Sequence, residues 1–269
     1  LPIREAQAAH RLECRRTTVN GLSLHFRAST NPGRKEHLPI ILIHGLASSH
    51  YMIPIAEHLA SDFQVYALDL PGFGKSDKPR RVLNLAELAD ALAAWMASLG
   101  LKHANGVGNS LGCNVLVELA LRHRERVNCL VLQGLTIDPA IRTTHQQVAR
   151  WLINGRREPS MGSILFKDYA DAGLRCMSLT FRHLLLLHHP IEDKLPLVHA
   201  PTLIVRGSRD PIASQEWARE AAHRLPHGRW VEIPGEAHTL NFLRRGNSPA
   251  CCAYFLVQCL SIRPLSADS

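Results

Sequence analysis

In Gly108-Asn109-Ser110-Leu111-Gly112 a serine stands between two glycines, each two residues away, after a short apolar segment ending at Val107 and before a helical run, Leu111–Arg122. A serine that attacks a carbonyl must stand clear of the backbone on a tight turn, where side chains two positions to either side would collide. The spacing therefore reads as a nucleophile elbow at a strand end. The Leu111 amide, in the first turn of a helix, is aimed at whatever Ser110 attacks and forms half of an oxyanion hole. Serine is a poor nucleophile at neutral pH, so it needs a base within reach and an acid that fixes the tautomer of that base. Asp210 follows one strand-like run, residues 201–207, and His238 follows another, residues 229–233. Asp138, also just beyond a strand, is the rival acid. His44-Gly45-Leu46 ends a third run, residues 39–43, and leaves the Leu46 amide as the second oxyanion donor.

These groups need a scaffold that brings strand ends together. Residues 39–43, 64–68, 127–132 and 201–207, with the segment ending at Val107, are short and apolar, as expected of strands buried on both faces. Helical patterns lie between them at 52–59, 85–99, 111–122 and 217–225, with a last helix at 250–260. Regular alternation of this kind predicts a mostly parallel central sheet with helices on both faces, led by a hairpin over 19–26, and its active site at the carboxyl ends of the strands. Between 136 and 196 the pattern is helical without a clear strand, and we read it as an inserted cap. The expected organisation is a core over 1–135 and 197–269 with a helical cap over 136–196.

A chain of 269 residues with 46% hydrophobic and 20% charged residues suits a soluble α/β domain. Its formal net charge of +8 comes from scattered basic residues without aromatic interleaving, so no nucleic-acid partner is expected. No run approaches the roughly 18 apolar residues of a membrane span. Residues 1–16 are mixed polar and basic, unlike a secretory signal, and the seven cysteines form no regular framework. A cytoplasmic monomer or homodimer with buried thiols is the expectation. Sixteen histidines provide no metal-site spacing, so neither metal nor cofactor is expected. The loop 69–77 carries two glycines but lacks the ending of a phosphate-binding loop, and reads as a rigid turn beside the site.

The chain order Ser110, Asp210, His238 resembles that of the α/β-hydrolase superfamily. The resemblance runs through His44-Gly45, residues 69–77, residues 108–112, residues 206–211 and residues 235–238. It implies an α/β-hydrolase fold and a catalytic triad acting on a small-molecule ester or ketone. Asn109-Ser110 is similar to the elbow of the meta-cleavage-product hydrolases, which cut carbon–carbon bonds. That likeness implies a cap arginine, Arg175 or Arg182, for a substrate carboxylate. Against it, residues 44–47 lack that group's glycine-rich segment and Thr239 stands where a tryptophan is usual. A carboxylic-ester hydrolase is thus the first reading, carbon–carbon hydrolysis the second, and a ligand-binding member of the fold the third. Trp151, Phe166 and Phe181 of the cap, with Asn109 and His50, complete the expected substrate-facing set.

Overall fold

The computed structural model describes residues 12–136, 138–141, 143–158 and 189–240. Eight strands form one sheet: β1 (Leu12–Val19), β2 (Leu22–Ser29), β3 (Ile40–Ile43), β4 (Val65–Leu68), β5 (Ala104–Asn109), β6 (Val127–Gln133), β7 (Thr202–Gly207) and β8 (Gly228–Ile233). Their spatial order is β1-β2-β4-β3-β5-β6-β7-β8. β1 and β2 pair antiparallel, as do β2 and β4, and every later pair is parallel. The leading hairpin is longer than its sequence pattern suggested. It turns on Asn20 and Gly21, both at positive φ (49° and 78°), the two-residue geometry whose twist matches that of its strands.

Side chains of the central strands alternate between two cores. Ile41, Ile43, Leu130, Leu132 and Ile204 face one, with α2 (Leu85–Ser98), α3 (Leu111–Arg122) and Trp217 of α6 (Gln215–Arg224). Ile40, Leu42, Cys129, Val131 and Leu203 face the other, against α1 (Ile53–Leu59). Burial on both faces explains why these strands read as continuous apolar runs. α2 starts at a reciprocal cap: Asn84 accepts from the Glu87 amide, and the Glu87 carboxylate accepts from the Asn84 amide.

Between β6 and β7 the described residues are helical: a short turn at Pro139–Ile141, α4 (Thr144–Arg157), α5 (Ile191–Lys194) and a turn at Leu195–Leu197. The expected helix over 250–260 and much of the stretch assigned to the cap lie outside the described residues. Cys113 and Cys129 are buried as expected, whereas Cys14 is exposed because it lies on an edge strand.

In register, Ile43 pairs with Gly108, Asn109 with Gln133, and Gly207 with Ile233. The carboxyl ends of β3, β5, β6, β7 and β8 therefore open onto one edge, where the chemistry-bearing loops meet.

Candidate active site

Ser110 adopts φ 56°, ψ −116°, and besides Asn20 it is the positive-φ residue other than glycine among the described residues. The turn is closed by contact. A β-carbon at Gly108 would come within 2.7 Å of the Gly112 carbonyl carbon, and one at Gly112 within 2.1 Å of the Ile43 oxygen. The Ser110 amide is tied to the Gln133 carbonyl at 3.0 Å. Leu111 heads α3, where a first-turn amide has no acceptor within its own helix. The segment 44–46 runs directly against the serine, since a β-carbon at Gly45 would lie 3.2 Å from Ser110 Cβ. Tyr51 fastens that segment to the elbow: its hydroxyl accepts from the Gly45 amide at 2.6 Å and donates to Asn109 Oδ1 at 2.9 Å.

Asp210, in the turn after β7, places Oδ2 2.8 Å from His238 Nδ1, and its Oδ1 accepts from the amides of Ile212 (2.7 Å) and Ala213 (3.1 Å). Arg206 braces the turn by donating to the carbonyls of Ala213 and Asp210 and to Glu232. Asp138 does different work. It accepts from the Ala140 amide and from the hydroxyl of Ser214, which caps α6. His238 is buried, and its Nε2 has no hydrogen-bond partner among the described residues. Burial alone would push its pKa down, but the charge and hydrogen bond of Asp210 and the charge of Glu158 push it up. The balance lies above the ordinary histidine value. Ser110 and His238 flank one turn, Gln133-Gly134, the serine bonded to Gln133 and the imidazole lying on Gly134.

Behind residues 44–46, Asp69 is buried and bonded to His25 Nδ1 (2.8 Å) and to the amides of Ser49 (2.7 Å) and Lys75 (3.0 Å). Burial would raise its pKa, yet these donors and the neighbouring His44 hold the carboxyl well below the usual carboxylate range. Gly74 is required because a β-carbon there would strike the Asp69 carboxyl at 2.5 Å. Residues 69–77 thus form a turn folded around a buried anion. His44 Nε2 accepts from the Leu70 amide at 3.0 Å, so it packs under the loop.

Two expected substrate-facing residues are placed elsewhere. Asn109 is buried, with its amide spent on Tyr51 and on the carbonyls of Gln133 and His238, so it is scaffold. Trp151 is 44% exposed because α4 turns inward a polar face, Gln147, Asn154 and Glu158, and leaves Val148, Trp151 and Leu152 outward. His50 is half-buried a few residues after the segment 44–46, where its amide donates to Ser48 Oγ. Phe166, Arg175, Phe181 and Arg182 lie outside the described residues. Sequence reasoning missed Gly134, at φ 59° against the His238 ring. It also missed the residues of α4 and its C-cap that hold the loops of Asp210 and His238: Arg150 donates to the Pro211 carbonyl (2.7 Å), Arg157 to the Arg209 carbonyl (2.6 Å), and Glu158 accepts from the Thr239 amide (2.6 Å).

Among the described residues no group of His, Cys, Asp and Glu is gathered to hold a metal ion, and no helix is long and apolar enough to cross a membrane. Residues 39–154 match the family model described as alpha/beta hydrolase fold, and residues 166–256 match one described as TAP-like protein. The uncharacterized hydrolase YugF of Bacillus subtilis is 32% identical over 245 residues, 79% of this chain and 86% of that protein. The chain belongs to the α/β-hydrolase family. This hydrolase is also similar to the esterase YbfF of Escherichia coli, at 22% identity over 81% of this chain and 92% of that one. Its fold matches that of 2-hydroxy-6-oxo-6-phenylhexa-2,4-dienoate hydrolase from Rhodococcus, with a TM-score of 0.76 at 20% identity over 94% of this chain and 99% of that one.

Proposed function

We propose that the hydrolase cleaves carboxylic esters of small, largely apolar molecules through an acyl-enzyme on Ser110. One observation carries the reading: a serine held at φ 56° shares a turn with a buried histidine whose Nδ1 is bound to Asp210 and whose Nε2 has no partner among the described residues. In this mechanism Ser110 Oγ attacks the ester carbonyl carbon while its proton passes to His238 Nε2. Asp210 fixes the tautomer and balances the imidazolium. The amides of Leu46 and Leu111 take the charge that develops on the carbonyl oxygen. The imidazolium then protonates the departing alkoxide, and water, deprotonated by His238, releases the acid and restores Ser110. Likeness to the esterase YbfF supports ester cleavage over the dienoate hydrolysis named for the Rhodococcus enzyme, whose similarity is one of fold.

The test is fluorophosphonate labelling followed by peptide mapping, together with turnover of short p-nitrophenyl esters and of ring-fission dienoates. Label on Ser110 with ester turnover is expected. Dienoate cleavage without ester cleavage would move the reading to carbon–carbon hydrolysis. A protein that binds esters without turnover or label would be a receptor-like member of the fold.

A further inference from the structure

We propose that Glu158, at the end of α4, is a positioning residue for His238, holding the base loop and so making the acid–base pair depend on the seating of this helix. The inference rests on the serine-hydrolase reading above and extends it to a residue outside the triad. Glu158 is buried, and among the described residues the hydrogen bonds of its carboxylate go to the base loop or to its own helix. Oε1 accepts from the Thr239 amide at 2.6 Å, and Oε2 accepts from the Thr239 hydroxyl at 3.0 Å and from Asn154 Nδ2 at 2.8 Å. Asn154 Oδ1 in turn accepts from the His238 amide at 3.4 Å. The His238-Thr239 backbone is therefore held from above by two side chains one turn apart, on a helix that belongs to another part of the chain.

The same helix grips the acid. Arg150 and Arg157 donate to the carbonyls of Pro211 and Arg209, on either side of Asp210. Residues 150, 154, 157 and 158 share one face at helical spacing, so a single rigid element touches both loops. A buried carboxylate is costly unless it is bonded, and here its bonds are charge-assisted, two of them to Thr239 and one to Asn154. Such an arrangement fixes a loop more firmly than neutral contacts would. Among the described residues, the charged groups facing His238 are Asp210 on the β7 turn and Glu158 at the end of α4. Arg150, Arg157 and Arg206 stand behind the acid, bonded to backbone carbonyls, while Ser110 and Gly134 bring no charge to the ring. Glu158 thus acts on the base twice, through geometry and through its negative charge.

The test uses Glu158→Gln, Glu158→Ala and Thr239→Val in the full chain. The His238 imidazole is titrated by NMR, its signal assigned with a His238→Asn variant. Glu158→Gln keeps the size and one acceptor but removes the charge, so the His238 midpoint should fall by about half a pH unit or more. Glu158→Ala removes the clamp as well, and kcat should fall by about 10- to 100-fold with KM changed little, the scale of a small misplacement of a catalytic group. Thr239→Val deletes one bond and should lower kcat without moving the midpoint, which keeps the idea testable if the alanine variant does not fold. A midpoint unmoved in the glutamine variant overturns the proposal, as does full kcat in Glu158→Ala. The NMR midpoint requires no turnover. Failure of wild type to label at Ser110 would therefore defeat the serine reading alone, and an unmoved midpoint beside normal labelling would defeat the Glu158 proposal alone.

Discussion

A β-carbon at Gly134 would stand 2.8 Å from both Cε1 and Nδ1 of His238, so the glycine backbone forms the surface on which the imidazole lies. Gly134→Ala must push that ring or bend the turn, and it also places a side chain at φ 59°. We expect kcat to fall about 100-fold, the cost of a misplacement near one ångström. Rates of ester hydrolysis and of fluorophosphonate labelling should fall together. Wild-type rates for the alanine variant would show that the ring has room to move.

Ser110 sits in a backbone region that costs a non-glycine residue about 1–3 kcal/mol. Ser110→Ala should reduce kcat on the order of 10⁴-fold while the protein still folds. Ser110→Gly should be equally inactive but more stable, by about 1 kcal/mol or more, as the strain is relieved. Denaturant unfolding of both variants checks this, and a glycine variant less stable than the alanine one would contradict it.

Asp210 and Asp138 occupy comparable positions after neighbouring strands, but Asp210 alone of the two is bonded to His238. Asp210→Asn should lower kcat by about 10⁴ through the wrong tautomer. Asp138→Asn should leave kcat near wild type and cost about 1 kcal/mol of stability, since it weakens capping interactions at Ala140 and Ser214. Steady-state kinetics and unfolding curves separate the two, and the opposite ranking would reassign the acid.

His238 has a raised pKa in the folded protein. The base must be neutral to accept the Ser110 proton, so kcat/KM should fall on the acid side with an apparent pKa above the unperturbed value of about 6.5. For stability the sign is that of a group favouring its proton when folded. Its contribution is complete below about pH 6.5 and is lost as pH rises through the folded value. In His238→Asn that alkaline loss should disappear. An acid limb below pH 6 would mean that burial outweighs the two carboxylates.

Asp69 behaves in the opposite sense because its pKa is lowered. Its stabilising contribution is complete above the unfolded carboxylate value of about 3.9 and is lost as pH falls through the folded value. Asp69→Asn should therefore flatten the acid side of the stability profile and loosen residues 44–49 through the lost Ser49 contact. Unfolding curves from pH 2 to 7 measure this, and a profile that keeps its wild-type shape would remove Asp69 as its cause.

The sheet was legible because its central strands are buried on both faces, which leaves runs such as Ile40-Ile41-Leu42-Ile43 with no other reading. The elbow, Asp210 and His238 were legible because each lies at the end of such a run. Gly134 was not, since a glycine that spares a ring 104 residues later leaves no local pattern. α4 misled for a definite reason. Hydrophobic periodicity assigns the apolar stripe of a helix to the interior, and here Gln147, Asn154 and Glu158 face inward because main-chain groups of two loops supply their partners. That pairing is long-range, so neither Asn154 nor Glu158 could be singled out by spacing.

The handholds of α4 on the loops of Asp210 and His238 are main-chain atoms, the carbonyls of Arg209 and Pro211 and the amides of His238 and Thr239, joined by one side-chain group, the Thr239 hydroxyl. Apart from that hydroxyl, a grip of this kind does not read the side chains it holds. Residue 209 is therefore free to drift in an evolving lineage without losing its anchor, and a foreign helix bearing Arg, Asn, Arg and Glu at the same spacing would find the same four attachment points. Exchange of this helix, with the loops of Asp210 and His238 left undisturbed, is built into the way it is attached.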